Sequence, residues 1–98
     1  MVLRITRYDT PTPAATLRLE GRLVEASAAL LEHECSVLRD SLGSVAIDLS
    51  GVAVVDRLGV EALQRLHRTG VAIRGCSDLI ASILQAEGIR VDPSPPDR

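Results

Sequence analysis

The chain has 98 residues, 46% of them apolar and 24% charged, with a formal net charge of −2 at pH 7. That balance fits one small globular domain that buries its own core, and it excludes a disordered chain. Tyr8 is the single aromatic residue, and acidic and basic side chains are mixed along the chain. With neither stacking platforms nor a basic stripe, no nucleic-acid partner is expected.

Val2 to Tyr8 alternates apolar and polar, with Leu3 and Ile5 on one side and Arg4 and Thr6 on the other. That period predicts a half-buried strand. Asp9 to Pro13 holds two prolines and reads as a turn. Thr16 to Glu20 alternates again through Leu17 and Leu19, and the short connection predicts antiparallel pairing with the first strand. Gly21 to Val24 is expected to turn the chain into a helix from about Glu25 to Asp40. Its inward stripe is Ala28, Leu31, Cys35, Leu38 and Leu42, with Glu32, Glu34 and Arg39 on a solvated face. Gly43 suits the helix exit.

A short apolar run from Val45 to Leu49, with β-branched Val45 and Ile47, predicts a buried strand, followed by turn chemistry at Ser50-Gly51 and a second apolar run, Val52 to Val55. Asp56 suits the N-cap of a second helix bearing Leu58, Ala62, Leu63 and Leu66. The segment from Asp48 to Asp56 is thus expected as a loop at a strand's carboxyl end, where open α/β sheets place binding surfaces. The second helix ends near Thr69, capped by Gly70, and Val71 to Arg74 forms a short strand. So tight a return makes that helix a crossover between parallel strands. Ser77 or Asp78 caps a third helix with Leu79, Ile80, Ile83 and Leu84 inward, ended by Gly88. The domain is expected to span residues 1–90, with 91–98 as a disordered C-terminal tail rich in proline.

The residue inventory argues against an enzyme. His33 and His67 lack ligand spacing with each other or with a cysteine, so no metal is expected. No glycine-rich phosphate loop and no nucleophile elbow is present, and no cofactor is expected. Asp48 and Asp56 flank one predicted loop, which raises a paired-carboxylate site. The simpler roles are a helix cap for Asp56 and a loop tie for Asp48. Cys35 and Cys76 are best read as reduced thiols, Cys35 in packing and Cys76 near a helix N-terminus that could lower its pKa. No run approaches the roughly 18 apolar residues of a membrane span. The first residues lack a signal peptide's apolar run, so a cytoplasmic protein without direct membrane insertion is expected.

The stretch Ile47-Asp48-Leu49-Ser50-Gly51-Val52, then Val55-Asp56-Arg57-Leu58-Gly59-Val60-Glu61-Ala62-Leu63, resembles the signature of STAS domains, the anti-sigma-factor antagonists and their relatives. Leu17 to Leu23, with its Gly21-Arg-Leu turn, and Arg74 to Leu79, followed by Leu84 and Gly88-Ile89, resemble flanking pieces of the same pattern. The resemblance covers about residues 15 to 90. It implies an α/β, single-domain STAS-like (SpoIIAA-like) fold: a mixed four-stranded sheet, in the order β-β-α-β-α-β-α, with helices mainly on one face.

The resemblance also implies a protein-interaction regulatory domain whose partner is an anti-sigma factor or related switch kinase. Its binding face would comprise Gly21, Asp48, Ser50, Gly51, Asp56, Arg57, Leu58 and Gly59. Alternatives are an accessory subunit that binds the ATPase of a lipid-transport complex, or a small-molecule or nucleotide sensor. A homodimer is compatible with either partner class. One departure bears on regulation. Phosphoregulated members carry a serine directly after the helix-start Asp, and here that position is Arg57. The family's Asp after the Gly-x-Leu turn is Val24. Phosphorylation at the usual position is therefore not expected.

Overall fold

The computed structural model describes residues 3–9 and 15–92. The expected turn around Pro11 and Pro13 and the tail from Pro93 onward lie outside the described residues. The elements are β1 (Leu3–Asp9), β2 (Ala15–Leu23), α1 (Glu25–Leu42), β3 (Val45–Val55), α2 (Arg57–Arg68), β4 (Ala72–Arg74), α3 (Asp78–Ala86) and β5 (Val91–Asp92). The sheet order follows the chain, β1-β2-β3-β4-β5. β1 pairs antiparallel with β2, and every other pair is parallel. The mixed four-stranded arrangement expected from the sequence is β1 to β4. β5 adds two residues to the β4 edge, inside the stretch read as tail.

Strand period divides the sheet into two faces. In register across it, Leu17, Ile47 and Ile73 form one row, and all three are essentially closed to solvent. Arg18, Asp48 and Arg74 form the adjacent row, and none is buried. Because successive strand side chains point to opposite faces, the first row faces the helices and the second faces water. One cluster joins that inner row to Leu31 and Cys35 of α1, Leu63 and Leu66 of α2, and Ile80 and Leu84 of α3. All three helices thus share one side of the sheet. With no Phe or Trp, this core is packed almost entirely from branched aliphatic side chains.

Two stretches differ from the sequence expectation. Ser50-Gly51 is not a turn: β3 runs through it to Val55, and β2 runs on through Gly21 to Leu23. Register shifts fall between Arg18 and Glu20 and between Gly21 and Arg22. The glycines therefore mark bulges in a long paired ribbon rather than its end. At Gly51 a Cβ would lie 2.7 Å from the Glu20 Cγ and 2.9 Å from the Leu19 carbonyl oxygen. The second difference is in the helix faces. Leu42, Leu79 and Ile83, all expected inward, are 39%, 70% and 37% exposed.

Glu32 also leaves its expected place on a solvated face. Its carboxylate takes two hydrogen bonds from Arg65, 2.9 Å from Nε to Oε2 and 2.6 Å from Nη2 to Oε1, fastening α1 to α2. That two-point geometry resists the rotamer freedom that usually makes surface pairs weak. The Arg65 hydrogen bond holds the Glu32 carboxyl below its ordinary value of 4.5. A depressed carboxylate contributes stability that is complete above the unfolded value and is lost as pH falls through the folded one. Glu32→Gln is expected to lower the melting temperature slightly at neutral pH, with the gap to wild type closing in acid. A gap independent of pH would show that the pair does not act through ionisation.

Candidate functional site

The ribbon of β2 and β3 ends at the N-terminus of α2, and three contacts fix that junction. The Asp56 carboxylate accepts a hydrogen bond of 2.8 Å from the Gly59 N–H, capping the helix as its position predicts. The Asp56 N–H donates to the Leu23 carbonyl across 3.3 Å. Gly59 packs onto the same carbonyl so closely that a Cβ there would lie 2.3 Å from the oxygen. Glycine at this position therefore lets the first turn of α2 touch the last residue of β2. The polar cap and the close approach hold the backbone of residues 56–59 on strand ends buried at Leu23.

Two side chains project from this fixed turn. The Arg57 side chain is 84% exposed, with its Nε 3.4 Å from Glu61 one turn on. The cation opposes the helix dipole, and the i, i+4 pair offsets part of that cost. Leu58 is 48% exposed. Arg57 and Leu58 thus form one exposed surface beside Asp56, with Gly59 buried beneath it, and Gly21 lies two residues before the Leu23 carbonyl that anchors it.

The remaining predicted residues sit elsewhere on β3. Eight residues of mostly extended chain, at about 3.3 Å each, separate Asp48 from Asp56 by on the order of 20 Å, so they do not make a paired-carboxylate site. Asp48 accepts from the Ser50 N–H at 2.9 Å, the local tie expected of it. Ser50 is exposed in mid-strand, and Gly51 pairs with Glu20 just after the first register shift.

The thiols are not primed for reaction. Burial pushes the Cys35 thiol up to about 12, and the Glu34 carboxylate adds to it. Burial likewise pushes Cys76 up to about 11, with Asp48 contributing. The helix N-terminus expected to lower Cys76 is outweighed by desolvation. Both cysteines are free. His67 has a structural partner that spacing alone did not reveal: its Nε2 accepts from the Arg90 N–H at 3.3 Å. Among the described residues no group of three or more His, Cys, Asp or Glu side chains converges as a metal site. No helix in the described residues is long and apolar enough to cross a membrane.

Beside the capped turn, a groove of about 240 Å3 runs between α2 and α3, with Val55, Val60 and Ile83 among its lining. The sequence does not reveal this groove, because Ile83 fits a helical apolar period that predicts an inward position. A larger hollow of about 350 Å3, lined by His67, Gly70 and Arg90 among others, lies at the opposite end of α2 and holds none of the expected site residues.

The sequence matches no protein-family model and no curated protein. The fold, by contrast, matches solved structures. An anti-sigma factor antagonist from Mycobacterium paratuberculosis superposes with a TM-score of 0.72 at 20% identity, over 88% of this chain and 78% of that one. The anti-sigma factor antagonist SpoIIAA in its unphosphorylated form gives 0.74 at 12% identity, over 94% and 89%. A STAS domain antisigma-factor antagonist from Rhodobacter sphaeroides gives 0.52 at 24%, over 85% and 95%. At such identities the likeness is one of fold, and in fold this chain is a STAS-like domain of the SpoIIAA type.

Proposed function

We propose that this domain is a regulatory binding module that docks a protein partner through the first turn of α2 and the adjoining ends of β2 and β3. The partner class is an anti-sigma factor or a related switch kinase. The observation that carries the reading is the pairing of an exposed Arg57 and Leu58 with a backbone held rigid by Asp56 and Gly59. A half-exposed leucine on a pre-organised turn, beside a fixed charge, suits recognition by another protein. Structures sharing this fold include anti-sigma factor antagonists, which supports the partner class. Arg57 has no hydroxyl to accept phosphate, so affinity at this turn is not set by phosphorylation there.

Affinity capture from the native host, read by mass spectrometry, is expected to return a sigma-regulating kinase-like protein. Recovery should fall about tenfold or more for Leu58→Asp, as for a truncated interface anchor. The same spectra, taken after incubation with ATP and that kinase, should show residue 57 unmodified. Recovery indifferent to Leu58→Asp, or capture of a transport ATPase subunit instead, overturns the reading. Phosphate on Ser50 or Ser77 would show that a switch operates at another position.

A further inference from the structure

The groove between α2 and α3 adjoins the docking turn, and its composition is asymmetric. Val55, Val60 and Ile83 supply the apolar surface, while Asp56, Glu61 and Glu87 set three carboxylates against the single guanidinium of Arg57. Gln64 closes the far end by donating 3.0 Å to the Glu87 carbonyl. Leu79, one turn before Ile83 on the same face of α3, is 70% exposed and extends the apolar stripe of that helix by one turn. Exposing Leu79 and Ile83 costs solvation that a covered helix face would not incur.

We infer that this groove receives a basic amphipathic segment of the partner protein, an apolar side chain entering over Ile83 with lysine or arginine residues facing Glu61 and Glu87. The inference rests on the docking reading above and specifies the chemistry of the partner. Charge complementarity selects this occupant over a second copy of the chain. A two-fold contact through this face sets each patch against itself. With three carboxylates, Asp56, Glu61 and Glu87, to the one guanidinium of Arg57 in each patch, such a contact leaves negative charge in excess on both sides, whereas a cationic segment neutralises it. Amphipathic helices laid into apolar grooves are read through anchors at such helical spacing.

The test uses a fluorescein-labelled amphipathic peptide of leucine and lysine, and a matched peptide of leucine and glutamate, in anisotropy titrations with the full chain. The leucine–lysine peptide is expected to bind, with amide NMR shifts concentrated at Val55, Val60, Glu61 and Ile83. Ile83→Asp, or Leu79→Asp should the first variant fail to fold, is expected to weaken it at least tenfold. The double reversal Glu61→Lys with Glu87→Lys should weaken it similarly and transfer binding to the leucine–glutamate peptide. Equal binding of the lysine peptide to the double reversal, shifts mapping elsewhere, absence of binding, or dimerisation abolished by Leu79→Asp each overturns the inference. Capture of the native partner separates the two readings. Loss with Leu58→Asp but not with the groove variants overturns the groove alone, and indifference to both sets overturns both.

Discussion

Gly59→Ala is expected to destabilise the domain by about 2 kcal/mol or more, against the direction that helix propensity alone predicts. Gly59 lies inside the first turn of α2. In an ordinary helix, replacing glycine with alanine gains up to about 1 kcal/mol. Here the added Cβ would stand 2.3 Å from the Leu23 carbonyl oxygen and 3.0 Å from the Val55 Cγ1. The nearer neighbour is backbone, at the end of β2 where Leu23 pairs with Val55 of β3, so it cannot swing away as a side-chain tip would. Either α2 lifts off β2 or the ribbon end shifts, and both break the junction that positions Arg57 and Leu58.

Urea unfolding followed by circular dichroism measures the loss. Gly43→Ala provides the contrast. Gly43 has φ +88° and nothing within 4 Å of a Cβ, so its cost is conformational strain alone, roughly 1–2 kcal/mol. A Gly59→Ala variant as stable as wild type, or less affected than Gly43→Ala, would show that the close approach to Leu23 is not obligatory. The docking turn would then lose its main structural argument.

Local chemistry made some parts of this molecule legible in sequence and left others hidden. The β1 and β2 alternation, the Asp56 cap, the Gly43 exit and the Ser77 cap each follow from a rule that acts within a few residues. The structure reproduces them. Ser50-Gly51 misled because glycine serves both turns and bulges, and only the partner strand decides which. The close packing of Gly51 on Leu19 and Glu20 is a long-range contact that no window around residue 51 contains. β5 was hidden for a similar reason: Val91-Asp92 has no strand length of its own and exists only by pairing with β4.

The site divides along the same line. Arg57 was legible as a departure from the STAS pattern that the sequence resembles. The groove was not, because it depends on how far apart α2 and α3 lie. Periodicity gives α3 an apolar stripe containing Leu79, Ile80, Ile83 and Leu84, but not how much of that stripe the sheet can cover. A narrow sheet, ending in a two-residue strand, covers Ile80 and Leu84 and leaves the other two in solvent.

That division between covered and uncovered apolar residues yields the sharpest energetic contrast in the fold. Ile47→Ala is expected to cost about 3–4 kcal/mol, the range for a large aliphatic side chain removed from a close-packed interior. Ile47 is fully buried on the central strand, between Leu17 of β2 and Ile73 of β4. Its neighbours are held by ladder pairing on both flanks, so the cavity cannot collapse easily. For a domain of this size such a loss is a large share of the total, which is about 5–15 kcal/mol. Leu79→Ala deletes a side chain of comparable size from α3, but one that is 70% exposed. Its expected effect is within about 0.5 kcal/mol, as for surface positions generally. Chemical denaturation of the two variants side by side tests the architecture directly. A small loss at Ile47 would move β3 out of the centre of the sheet. A large loss at Leu79 would mean that α3 packs through this residue, leaving no apolar stripe for a partner. If the contrast holds, the leucine contributes little to folding, and its apolar surface stays open to the partner segment proposed for the groove.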